Sequence, residues 1–289
     1  MSAKVSTWQR LKDIWAYREL LLSLTRKELK VKYKGSALGF LWTLLNPALS
    51  LVVYYVAFQV ILKNGIPLFA IYLLSGLLVW NLFQGSLAAA TGSIVGNAAI
   101  VGKVSFPREI LPLATVGANL VHFLLQTVVL LGALLVFRHS PDWQMLALLI
   151  PGSLVLLLLA SAFGVLLSAV NVRFRDTQHL LDLVLFAWFW TMPIVAYTFA
   201  KVAANLDPKG LTWIYLLNPL TPIVLLFQRV LYNDPAPIGA DGNPVPILPD
   251  ESVLWYVAHC GYSLVFGSVL FFIALKVFSK LEGDFAEEL

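Results

Sequence analysis

The sequence predicts an all-α protein that crosses a membrane several times, and three observations carry that expectation. Of its 289 residues, 59% are apolar or aromatic and 12% are charged, against ~45–50% and ~25% in an ordinary soluble domain. Too few polar groups remain to cover a monomer of this size in water, and the same numbers exclude disorder. The apolar residues also gather into runs of about 20, enough at ~1.5 Å of rise per residue to cross ~30 Å of hydrocarbon. Finally, Lys and Arg cluster in alternate connections between those runs.

The leader, residues 1–36, comes first. Val5–Val31 has no proline or glycine. Trp8, Leu11, Trp15, Leu22 and Leu29 are spaced to share one helical face, while Arg10, Lys12, Asp13 and Lys27 fall largely elsewhere. A Trp-bearing apolar stripe beside basic residues suits an amphipathic helix lying in the membrane surface. A soluble helix packed on a partner is the plainer alternative. The basic run Arg26–Lys34 follows. It reads either as a simple cytoplasmic anchor or as a contact site for a phosphate headgroup, with Arg26, Lys30, Lys32 and Lys34 as candidates. The first apolar run begins behind this charged leader, too late for a cleavable signal peptide, so the N-terminus is expected to be retained.

Residues 37–289 form the expected transmembrane domain. Six spans are read at about 37–62, 67–90, 110–137, 145–172, 180–199 and 253–278. The stretch from Lys63 to Lys103 is uncharged between its ends, too long for one span and too short for two. Its second half, Thr91–Gly102, is rich in Gly, Ala, Ser and Asn and reads as a span end plus a short interfacial or cytoplasmic helix. Leu216–Tyr232, broken by Pro219 and Pro222, is too short to cross and suits a re-entrant hairpin shielded by protein. Asn233–Asp250 reads as an irregular loop. Fifteen of the 20 Lys and Arg fall in the leader, the second and fourth loops and the C-terminal tail. That bias predicts cytoplasmic termini, in keeping with an even number of spans.

The chemistry of several enzyme classes is missing. One cysteine, Cys260, permits neither an internal disulfide nor a cysteine metal cluster. The four histidines are scattered, with no zinc-protease pair, and no Gly-x-Ser-x-Gly or Asp-x-Asp motif occurs; no metal site is expected. The only Gly-Lys pair, Gly102-Lys103, is followed by Val104, and Asn97 stands where a phosphate loop needs its first glycine. No ATP site of that kind is expected in this chain. Arg175, His179 and Asp182 share a helical face near the fifth span. An intrahelical ion pair explains them more simply than a proton relay, which needs further polar steps. Trp42, Tyr54, Trp80, Phe83 and Trp188 lie within spans. They read as lipid-facing or core aromatics, or alternatively as a channel lining on which sugar rings could slide.

Lys32-Tyr33-Lys34-Gly35-Ser36-Ala37-Leu38-Gly39-Phe40-Leu41-Trp42-Thr43-Leu44-Leu45-Asn46-Pro47 resembles the signature of type-2 ABC transporter permeases for polysaccharide and polyol-phosphate export. Val104–Pro112, Val172–Asp176 and Leu217–Leu220 are similar to later family patches, in order along nearly the whole chain. The resemblance implies a six-span permease of the bacterial inner membrane that forms a homodimer and pairs with two ATP-binding subunits. ATP and Mg would belong to those subunits, and this chain would need no cofactor and be no enzyme. A cytoplasmic coupling helix is implied over about Gly96–Arg108, with Asn97, Lys103, Phe106 and Arg108 as contacts. External re-entrant helices are implied over about Thr212–Tyr232. The implied cargo is a polyprenyl-pyrophosphate-linked glycan of O-antigen or teichoic acid type, with membrane lipid as a partner and no nucleic acid. The C-terminal Leu281–Leu289 is similar to actinobacterial members that export cell-wall galactan. The competing expectation is a type-2 ABC exporter of a small hydrophobic molecule such as a drug or haem. A membrane enzyme is opposed by the missing catalytic clusters, and a proton-coupled flippase by the missing relay.

Overall fold

The computed structural model describes residues 7–36, 38–63, 65–195, 197–233, 235 and 246–288. Lys4 and Val5 of the leader, Ala37 at the expected start of the first span, and most of the expected Asn233–Asp250 loop lie outside the described residues. The regular elements among the described residues are helices: α1 Thr7–Ala16, α2 Arg18–Tyr33, α3 Trp42–Tyr54, α4 Phe69–Thr91, α5 Ser93–Gly96, α6 Ala98–Val101, α7 Ile110–Val136, α8 Leu149–Arg173, α9 Thr177–Trp190, α10 Phe199–Leu206, α11 Thr212–Leu216, α12 Thr221–Leu231, α13 Val253–Leu281 and α14 Phe285–Glu288.

Among the described residues, five helical stretches are long and apolar enough to cross a membrane: Trp42–Ile61, Phe69–Thr91, Ile110–Val136, Leu146–Arg173 and Val253–Asp284. The span expected at 180–199 differs. There α9 has 14 residues, about 21 Å at ~1.5 Å per residue, and so is short of the ~30 Å required. Pro193 lies just beyond the helix end and has no N–H to continue it. Its carbonyl instead accepts from Tyr72 Oη at 2.7 Å and Gln228 Nε2 at 2.8 Å. Tertiary bonds thus take the place of helical ones at the break.

The leader differs from a single continuous helix, because it bends at Tyr17 (φ −93°, ψ 21°). Trp8, Trp15 and Leu22 are left exposed, while Leu11, Ile14, Leu20, Leu21 and Leu24 pack inward. The apolar stripe is therefore divided between a face buried in the protein and a face left for a membrane surface. After α4 the chain makes two one-turn helices, α5 and α6, and then a passage of turns and irregular backbone to α7. Helix within Gly96–Arg108 is thus confined to α6 and the final residue of α5.

The core is built around α4, which packs against α7, α8, α9 and α12. It is apolar on nearly all sides, as a central helix must be. Its approach to α8 is close: a Cβ on Gly164 would lie 2.9 Å from Ala90 Cβ. α13 packs along α8. α12 is buried along its whole length except for a half-buried Arg229, and it is held beside α4, α8 and α13. Hydrogen bonds fix this end. Tyr232 Oη donates to the Pro67 carbonyl at 2.8 Å, and Ser263 Oγ to the Pro219 carbonyl at 2.8 Å. A second, smaller apolar cluster sits at the opposite end, where Leu24, Ile94, Phe106, Ile110, Val172, Phe278 and Phe285 meet. Outward faces of α7, α8, α9 and α13 carry exposed residues such as Val128, Leu135, Ile150, Leu183, Phe186 and Val265. Apolar surface of that extent belongs against lipid or a partner.

Candidate functional site

Two polar features interrupt this apolar architecture. The first is a cavity of about 400 Å³ between the end of α2 and helices α3, α4 and α7. α3 contributes Trp42, Thr43, Asn46 and Ser50, and α4 contributes Asn81 and Gly85. α7 contributes Asn119, His122 and Gln126, whose spacing of three and four places them on one helical face. His122 lies twelve residues into α7, about 18 Å along its axis, so the cavity reaches deep into the spans.

At one end of the cavity a polar chain is ordered by donor logic. Lys32 Nζ has only protons to give, and it lies 3.4 Å from His122 Nδ1, which must accept. His122 Nε2 then carries the ring proton and donates to Tyr33 Oη at 3.1 Å, and Tyr33 in turn bonds Thr43 Oγ1. His122 and Thr43 are buried. Partial burial lowers the pKa of Lys32 from its ordinary value. Farther in, Asn81 Nδ2 donates to Gln126 Oε1 at 3.0 Å, and Asn119 Nδ2 donates to the Thr115 carbonyl at 2.9 Å. Gly85 makes room for Asn119: a Cβ there would stand 2.7 Å from Asn119 Oδ1.

The second feature is an ion cluster at the end of the molecule that holds the leader. Arg10 of α1 bonds Glu109, the residue before α7, and reaches Glu282 beyond α13 at 2.8 Å. Arg108 donates to the Glu282 carbonyl at 3.0 Å and lies over the Phe285 ring at 5.9 Å. The Glu109 side chain is 1% exposed. Burial raises its pKa, and Arg10 opposes the shift without cancelling it. Burial works against the Arg10 charge too, but Glu109 and Glu282 outweigh it and hold its pKa above the usual value. Three chain segments far apart in sequence are locked together here.

The residues singled out from sequence fall unevenly on these features. All four headgroup candidates, Arg26, Lys30, Lys32 and Lys34, are exposed, and Lys32 alone also reaches the cavity, through its bond to His122. Of the channel aromatics, Trp42 stands at the cavity with its ring side substantially exposed, and Tyr54 and Trp188 are half-buried. Trp80 and Phe83 are enclosed by the chain's own core, with Phe83 edge-on to Phe163 and Trp188. They have no open face to offer as a lining, because α4 is the helix around which the others pack. Of the coupling candidates, Lys103 is exposed. Asn97 Oδ1 accepts from Lys27 Nζ at 2.7 Å, Phe106 is buried in the small cluster, and Arg108 belongs to the ion cluster. No ion pair forms on Asp182 among the described residues; Asp182 and His179 are exposed and Arg175 precedes the helix.

Sequence reasoning missed His122, the amide groups and the Arg10–Glu109–Glu282 cluster. The amides had a readable signal, polar residues at helical spacing inside apolar runs. The ion cluster had none beyond Glu109 itself, since its partners lie 99 and 173 positions away.

Comparison with known proteins agrees with this architecture. Residues 19–232 match the family described as ABC-2 type transporter. The chain is 31% identical over 279 residues to the O-antigen export system permease protein RfbA of Myxococcus xanthus, covering 96% of this chain and 98% of that one. It is 28% identical over 269 residues to an O-antigen export system permease protein RfbA of Klebsiella pneumoniae, covering 93% and 94%. Over 217 residues it is 25% identical to the polysialic acid transport protein KpsM of Escherichia coli, covering 72% and 80%. With a family match across most of the chain and a likeness running almost end to end, this polytopic helical protein belongs to the ABC-2 type transporter family.

Proposed function

We propose that the chain is the membrane-spanning permease subunit of an ATP-driven exporter in the bacterial inner membrane. Its cargo is a polyprenyl-pyrophosphate-linked polysaccharide, O-antigen-like or galactan, taken from the cytoplasmic side. The observation that carries this reading is the likeness to O-antigen export permeases over 96% of the chain. The chain works as a homodimer with two ATP-binding subunits that hold ATP and Mg, and both its termini are cytoplasmic.

The geometry supports the reading in four ways. Lys103, Val104 and Ser105 form an exposed passage beside the ion cluster, open to an ATPase surface. Rigid-body closure of such a partner could pass through Arg108 and Glu109 to the leader and the spans. The helix α3 leaves most of its apolar surface uncovered, where a second copy can sit. Arg26, Lys30 and Lys34 project from α2 and its end and can draw in a pyrophosphate by charge. An amide-lined cavity suits a hydroxylated cargo better than an apolar drug.

Purification in mild detergent from native membranes, with mass spectrometry of what stays bound, tests this. A stoichiometric ATP-binding subunit and a lipid-linked glycan are expected. A chain that emerges alone and well folded from several detergents would overturn the reading. Within it, replacing Lys30 and Lys34 by Ala should cut export while leaving assembly intact. Unchanged export would remove the phosphate-capture role.

A further inference from the structure

We infer that the cavity between α2, α3, α4 and α7 is a binding subsite for a sugar phosphate, with Lys32 holding the phosphate and Asn46, Asn81, Asn119 and Gln126 reading the sugar hydroxyls. The choice of a glycan component as ligand rests on the proposed function; the subsite itself is argued from its chemistry.

The lining selects the ligand class. Among the described residues it contains amides, hydroxyls, one imidazole and one ammonium, no carboxylate, and an apolar part made by Trp42, Pro47, Leu82 and Phe123. A cation finds no counter-charge there and is repelled by Lys32. An apolar molecule would strip water from the amides without replacing their hydrogen bonds, which is costly. A polyol both donates and accepts, as an amide does, so its hydroxyls match the polar part of this lining, and the C–H faces of a sugar ring suit the apolar part. The volume of about 400 Å³ lies within the range of small-molecule sites.

The spacing selects the shape. Gln126 stands four residues beyond His122 on α7, about 6 Å along the axis. The charged end and the Asn81–Gln126 amide pair are thus separated by about the width of one pyranose ring. Asn81 and Asn119 spend their amide protons on Gln126 and the Thr115 carbonyl. Their carbonyl oxygens are left as acceptors for hydroxyls, and the Gln126 amide is left as a donor. Trp42 adds an aromatic face beside the cavity. The His122 ring, bonded on both nitrogens, fixes the position of Lys32 and Tyr33 rather than competing for the phosphate.

The test is direct binding to the purified full-length chain in lipid nanodiscs without ATP, so that it does not depend on any transport partner. The probes are radiolabelled glucose 1-phosphate, glucose and inorganic phosphate. Saturable binding of glucose 1-phosphate is expected, at least tenfold tighter than either fragment. Asn119→Leu and Asn46→Leu should each weaken it at least tenfold. Lys32→Ala should reduce binding of the sugar phosphate to that of glucose. Asn46 is exposed, so its variant keeps the test valid if Asn119→Leu fails to fold. Absence of saturable binding would overturn the inference. So would phosphate binding as tightly as the sugar phosphate, or an Asn46→Leu chain that binds like the parent. If the chain binds the sugar phosphate but purifies without an ATPase, the subsite stands and the exporter reading falls.

Discussion

Helices α3 and α4 are adjacent in sequence, similarly apolar and similarly long, at 20 residues with the turn that extends α3 and 23 for α4. Their surroundings are opposite: 72% of the spanning part of α4 is buried inside the chain, against 6% for α3. α4 is enclosed by α7, α8, α9 and α12, whereas α3 touches the bundle mainly along the edge that lines the polar cavity. They differ in regularity too. α3 opens from a 3-10 turn at Gly39–Leu41, carries Pro47 in its interior and ends in a π-helical stretch, Tyr55–Ile61. Both interruptions are common causes of bending, and π turns often mark functional positions. The contrast separates two duties that look alike in composition. Apolarity in α4 satisfies the chain's own core, and apolarity in α3 is addressed to something outside it.

The largest effect that can break this comparison is Phe83→Ala on α4. The ring is fully buried, so the deletion should cost ~3–5 kcal/mol, seen as a steep fall in thermal stability in detergent. A mild effect would mean that α4 is not the central helix. Next comes Glu109→Ala, which leaves Arg10 with Glu282 alone and should cost about 3 kcal/mol. Limited proteolysis should then cut the leader faster than in the parent; equal protection would deny the lock. Gly85→Ala is intermediate, at ~1–3 kcal/mol, since its methyl displaces Asn119 unless that side chain can turn away. Its sharper signature is reduced sugar-phosphate binding with only modest loss of stability. The smallest effect belongs to α3. Val53 is 63% exposed, and Val53→Ala should change monomer stability by less than ~0.5 kcal/mol. A loss well above that in the isolated chain would show that α3 is covered after all.

The long spans were legible because composition alone demands them: no other arrangement hides so many apolar residues and satisfies their backbones. What composition cannot express is which spans cover which. α3 and α4 read alike because burial in protein and burial in lipid select the same side chains. The break after Trp190 was not read from the sequence, where the span was carried through Pro193 to 199, since it depends on Tyr72 and Gln228, which supply the hydrogen bonds that the lost helical turn no longer makes. The bend at Tyr17 has no proline or glycine to announce it. Lys32 and Trp42 were readable as candidates from charge and position. Their meeting with His122 was not, because it requires α2 to lie along α7, a long-range choice made by contacts such as Thr25 with the Ala114 carbonyl.

The tight seat of Gly164 against Ala90 has a mechanical corollary. Two helices that meet through a missing side chain resist rolling, because rotation brings a bulkier neighbour into a gap sized for hydrogen. Sliding meets the same obstacle. The α4–α8 pair is therefore expected to hold its geometry as a fixed frame, and any large motion is to be sought in the lightly held α3. A spectroscopic ruler should accordingly be anchored on the pair and pointed at α3.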